Sequence, residues 1–156
     1  MFYNVADIVD KTIKIEEKRI VMINDLIDEN RNLPTINLLG KVFRKESFKM
    51  ISYYKDIKRE ISNCEVEEID FRTYDKISFL ITEFYNSMFI PNTKTPKEYL
   101  KHALNIAVDE LALFIDIQGR IVNNSRNTYK ITYEVLSKII LRLEKQVENI
   151  DKLLKN

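Results

Sequence analysis

The chain has 156 residues, with 25 Lys and Arg against 24 Asp and Glu, one histidine, one cysteine, two glycines and three prolines. That length suits one domain, residues 1–156, able to bury a sizeable core. A formal net charge of +1 argues against nucleic acid or an acidic surface as partner, and a single cysteine excludes an intramolecular disulfide and suits a reducing compartment.

So few glycines and prolines, in a chain rich in Leu, Ile, Lys and Glu, favour an all-α fold with long elements. The first residues, Met1-Phe-Tyr-Asn-Val-Ala-Asp, lack a basic region followed by an apolar run, so no targeting segment is read there. The most apolar windows, Ile77 to Ile90 and Ala103 to Ile117, contain Glu83, Asp109, Glu110 and Asp116 and do not read as membrane spans. A cytoplasmic protein without membrane insertion is expected.

The first predicted helix runs from Val5 to about Asn30, with Val5, Ile8, Val9, Thr12, Ile13, Ile20, Ile23 and Ile27 inward and Asn-Arg-Asn-Leu-Pro closing it at Pro34. Glu16 interrupts its apolar face. A second helix begins near Thr35 or Asn37 and runs to about Ser62 on Leu39, Val42, Phe43, Met50, Tyr53, Tyr54, Ile57 and Ile61. Gly40 near its start permits a close helix contact, and Glu46 falls in line with Phe43 and Met50, with Lys49 three residues on.

Asn63 to Asp70 reads as an acidic loop holding Cys64, a spare thiol. Phe71 to Phe89 is a shorter aromatic-rich helix, with Tyr74, Ile77, Ile81, Phe84, Tyr85 and Met88 inward. Thr95-Pro-Lys-Glu then carries a near-complete start signal: a capping threonine, proline at the first helical position, and Glu98 three after the cap. The helix behind it follows Leu100, Ala103, Leu104, Ala107, Leu111, Phe114 and Ile117, with Glu110 at the edge of that face and His102 flanking it. It can extend through Ile121 and fray at Asn123-Asn124. Arg120 to Lys130 reads as a polar helix–helix loop, with anion contact as the less common use.

The last helix spans about Thr128 to Leu154 on Val135, Leu136, Ile139, Ile140, Leu143, Val147, Ile150 and Leu154, with Glu144 inserted. Four long helices with a shorter one in the middle predict an up-down-down-up four-helix bundle with one long crossover. The abundant tyrosines read first as core or seam residues and secondly as an interface.

Glu16, Glu46 and Glu144 each interrupt an apolar stripe, and a carboxylate buried without a partner costs several kcal/mol or gives up its charge. They are read either as glutamates snorkelling from a seam or as a shared polar centre. Thr12-Ile-Lys-Ile-Glu16, Val42-Phe-Arg-Lys-Glu46-Ser-Phe-Lys49, Ala103-Leu-Asn-Ile-Ala107 and Ile140-Leu-Arg-Leu-Glu144-Lys-Gln-Val147 resemble the four motifs of the rubrerythrin branch of the ferritin-like superfamily. The resemblance implies a ferritin-like bundle around two metal ions, held by two lone glutamates and two Glu-x-x-His pairs. The motif here is degenerate. Lys49 and Val147 stand where the histidines belong, Ala107 stands at a glutamate position, and no Cys-x-x-Cys pair is present.

No nucleotide-binding, metalloprotease or nucleophile motif is present, and no catalytic or cofactor-binding residue is assigned. The expectation is a bundle without metal or other cofactor that acts as an interaction or assembly protein. Its partner would be a second copy, a dimer above all, or another protein. A core ion pair of Lys49 with Glu46, Glu16 or Glu144 would put an ammonium in place of the metal charge and tie helices together. The alternative is a divergent dimetal oxidase, peroxide-handling or iron-binding protein, holding iron or manganese on Glu16, Glu46, Glu110 and Glu144. A third, weaker reading is an apolar ligand held between aromatic helices.

Overall fold

The computed structural model describes residues 2–124 and 129–156, with backbone only at 123 and 124. Four of the five helices among the described residues begin at a local signal. The Asn4 side chain accepts from the Ala6 amide at 2.8 Å and Asp7 accepts from the Asn4 amide at 2.9 Å, a reciprocal cap that starts α1, Val5–Glu29. Pro34 opens α2, Pro34–Ile61, from the first helical position, one residue earlier than Thr35 because a proline there loses no intrahelical bond. The Asp70 carboxylate accepts from the Thr73 amide at 3.0 Å and starts α3, Phe71–Ser87. Thr95 Oγ1 accepts from the Glu98 amide at 3.2 Å ahead of α4, Pro96–Asn124. Helix α5, Lys130–Lys155, receives its cap from a distance, since Glu67 accepts from the Thr132 amide at 2.9 Å. The acidic loop before α3 thus closes the start of the last helix.

The predicted boundaries differ from these by a few residues at helix ends. Helix α3 stops at Ser87 because Met88 turns to an extended conformation, leaving Phe89 outside. Helix α4 runs through Gly119 to Asn124, and Arg120 is engaged by Asp116 at 2.9 Å one turn back. The remainder of the predicted loop, residues 125–128, and with it the predicted α5 start at Thr128, lies outside the described residues.

Among the described residues there is no strand, only an isolated antiparallel bridge between Tyr3 and Ile69. The chain is all-helical. Helices α1 and α2 pack antiparallel, with Asp10 meeting Lys58 at 2.5 Å and Asn24 meeting Arg44 at 2.8 Å. Helices α4 and α5 form a second antiparallel pair, with Gln118 bonded to Ser137 at 2.8 Å and Leu100 and Ala107 packed with Ile150. Helix α3 runs alongside α1: Tyr74 stacks on Tyr3 at 4.1 Å, and Lys18 lies over the Tyr85 ring. It therefore carries the chain back along the molecule, so that α2 and α4 run in the same direction.

The main core is aliphatic, built on residues such as Ile8, Ile15, Ile77, Ile117, Leu136 and Ile139, with Tyr54 and Phe114 fully enclosed. Gly40 is buried against α1, and a Cβ there would meet Ile27 Cγ1 at 2.8 Å, so the close contact expected at Gly40 is present. The phenylalanines distribute the other way. Phe2, Phe48, Phe71, Phe79 and Phe89, five of the eight, each expose more than half their surface. No helix among the described residues is long and apolar enough to cross a membrane.

Candidate functional site

Helical spacing determines which acidic residues reach the centre. In α1 the inward line is Thr12, Glu16, Arg19, Ile23 and Leu26, steps of three and four, so Glu16 and Arg19 share one face. In α4 the inward line runs through Ala107, Glu110, Phe114 and Ile117, which places Glu110 at its centre rather than at its edge. Because α1 and α4 run in opposite directions, the middles of both lines meet. Glu16 and Glu110 are fully buried, and Arg19 is nearly so.

Arg19 lies between them. One guanidinium nitrogen donates to Glu16 Oε1 and another to Glu110 Oε1 at 2.8 Å, a buried ion triad of two carboxylates and one permanent cation. Helix α2 closes the site with Tyr54, completely enclosed, and Ser47, also buried. Glu16 Oε2, Glu110 Oε2 and the Tyr54 hydroxyl are buried without a hydrogen-bond partner among the described residues.

The electrostatics follow from burial. Desolvation pushes the Glu16 carboxyl up to about 6, the Arg19 charge opposes that rise, and the negative Glu110 adds to it. Desolvation also lifts the Tyr54 hydroxyl well above its ordinary value, helped by Glu110 and Glu16, so that it stays protonated. Desolvation works against the Arg19 charge, but the two carboxylates outweigh it and hold the guanidinium above its already high range, so it stays charged. Such a centre links α1 to α4 through side chains buried in the core.

The other residues singled out in the sequence lie elsewhere. Glu46 and Lys49 do pair, at 3.3 Å, but on the exposed surface rather than in the core. The reason is rotational: the buried line of α2 is Ile36, Gly40, Ser47, Met50, Tyr54, Ile57 and Ile61, so Ser47 takes the inward place and Glu46 points about 100° away. The same shift exposes Glu144, because Leu143 occupies the inward position of α5. His102 is half-buried near the start of α4, and Cys64 is exposed.

Arg19 is the functional residue the sequence reading missed. Its signal was available, an arginine three residues after an anomalous glutamate and four before Ile23 on the same face.

The dimetal centre that the resemblance implies does not fit these side chains. Two of its four carboxylates face solvent, the two that converge are bridged by a guanidinium, and no imidazole stands beside them. Among the described residues, no three of His, Cys, Asp and Glu come together in a group that could hold a metal ion. No protein-family model, curated protein or solved structure matches the chain.

Proposed function

We propose that this chain is a ferritin-like four-helix bundle, with α3 in the long crossover, that acts as an interaction or assembly protein. The observation that carries the reading is the placement of the phenylalanines outside an aliphatic core. On α3, Phe71, Asp75 and Phe79 follow one another at four-residue spacing along the exposed side, at 68 % exposure for Phe71 and 53 % for Phe79. Aromatic residues are enriched at protein interfaces, where each buries roughly 150–250 Å² and anchors the contact. The internal triad supports the same reading, because Arg19 engages Glu16, the one glutamate at a position matching the resembled family that reaches the centre, together with Glu110. The occupant proposed for the α3 face is a second copy of the chain, giving a symmetric dimer in a reducing cytoplasm.

Light scattering across a concentration series tests this. The wild type is expected to dimerise, and the double variant Phe71→Ser, Phe79→Ser to run as a monomer with its thermal stability kept, since neither ring is in the core. A wild type that is monomeric throughout, or a double variant that still dimerises, overturns the dimer. Elemental analysis of protein purified without chelator tests the divergent dimetal alternative. Near-stoichiometric iron or manganese, lost in Glu16→Gln and in Glu110→Gln, would replace the reading of an internally closed centre.

A further inference from the structure

A groove of about 410 Å³ lies between α2 and α5, with no residue of α3 in its lining. That volume falls within the range of small-ligand sites. Its apolar surface comes from Val42, Phe43 and Met50 of α2 and from Ile150 and Leu153 of α5. Val42 and Leu153 are half exposed there, in a position a ligand would cover. From Arg142 to Leu153 the groove follows α5 for about 16 Å at the helical rise.

The charges around it are unevenly satisfied. Glu46 is engaged by Lys49, and Lys152 by Glu148 at 2.8 Å. Arg142 has no ion-pair partner among the described residues, and Lys145, three residues on along α5, interacts only with the exposed Glu148, which Lys152 engages. The Arg142 guanidinium, partly buried, donates to the Met50 sulfur at 3.3 Å and lies over the Tyr53 ring at 5.0 Å. A thioether is a weak acceptor and a ring face is no anion, so this guanidinium keeps donor capacity for a carboxylate.

An apolar trough beside a guanidinium with no ion-pair partner among the described residues, and an ammonium one turn on, is complementary to one chemical class. We propose that the α2–α5 groove binds a long-chain carboxylate, its head on Arg142 and Lys145 and its alkyl chain along Phe43, Ile150 and Leu153. A carboxylate matches the planar fork of arginine in two parallel bonds, and an uncharged head does not. The inference does not rest on the assembly reading, whose phenylalanines are on α3.

Calorimetric titration with dodecanoate and with dodecanol tests it. Dodecanoate is expected to bind saturably at one site, at least about tenfold tighter than dodecanol, the factor that roughly 1.4 kcal/mol of head-group recognition produces. Arg142→Gln and the more exposed Lys145→Gln should each weaken dodecanoate about tenfold while leaving dodecanol unchanged. Val42→Asp, at a half-exposed groove position tolerant of substitution, should weaken both. The proposal fails if no saturable binding occurs or if the two probes bind equally. It also fails if Arg142→Gln and Lys145→Gln leave dodecanoate unaffected. A Val42→Asp variant that turns a dimer into a monomer with dodecanoate affinity unchanged would likewise overturn it, by making the groove a contact between copies.

Discussion

Replacing Arg19 with methionine removes the cation of the triad while keeping a long side chain in its place. Glu16 and Glu110 would then face each other fully buried, with no positive charge between them. Removing one partner of a buried ion pair typically costs about 3–5 kcal/mol, because the remaining charge is left uncompensated. Domains are stable by only about 5–15 kcal/mol, so this loss is a large fraction of the whole. At this size each kcal/mol moves Tm by about 2–4 °C, and the expected fall is roughly 6–20 °C near neutral pH.

The loss should also depend on pH in a defined direction. In the wild type Glu16 has a folded value of about 6 against an ordinary 4.5. A carboxyl raised on folding favours the folded state fully below its unfolded value and loses that advantage as pH rises through its folded value. Without Arg19, the cation that opposes this rise is gone, so Glu16 takes up a proton more readily. The deficit of Arg19→Met should therefore shrink as pH falls from about 7 to about 5. Chemical denaturation of both proteins at the two pH values measures it. A variant destabilised by less than about 1 kcal/mol at neutral pH, or by the same amount at both, would refute the assignment of Arg19 as the buried counter-ion. A variant unfolded at neutral pH that folds on acidification would support it.

Three further outcomes are expected. Glu16→Gln removes a carboxyl that burial raises from 4.5 to about 6. The stability difference should therefore move in the variant's favour between about pH 4.5 and pH 7, read from paired denaturation curves. The two helical glycines should respond in opposite senses. Gly119→Ala, with nothing within 4 Å of the added Cβ, should stabilise by about 0.5–1 kcal/mol, whereas Gly40→Ala drives a methyl to 2.8 Å from Ile27 Cγ1 and should destabilise on balance. Asp70→Ala removes the acceptor of the Thr73 amide and hydroxyl at the start of α3, at a cost of about 1 kcal/mol at neutral pH. Because those bonds hold the Asp70 carboxyl below its ordinary value, the wild type's advantage should persist above that ordinary value and fade as pH falls through the lowered one.

Periodicity and end signals were enough to read the helices. The Thr95-Pro96-Glu98 start and the apolar steps of three and four are local features, and a helix is a local structure whose hydrogen bonds close within a few residues. Boundaries shifted by a few residues where a terminal residue could go either way, as at Phe89. Local sequence also showed that a glutamate at position 16 was out of place on an apolar face.

Tertiary packing alone decided which acidic residues were buried. One residue along a helix is a turn of about 100°, so Glu46 and Ser47, or Glu144 and Leu143, are equally plausible occupants of an inward position until neighbouring helices select one. The pairing of Arg19 with Glu110 spans 91 residues of sequence and exists only because α1 and α4 run in opposite directions with their centres at one level. The carboxylate recognised in the sequence as an anomaly was thus matched by a cation on its own helix and a second carboxylate from across the fold. No periodic reading of a single helix contains that arrangement, because it is a property of how two helices are set against each other.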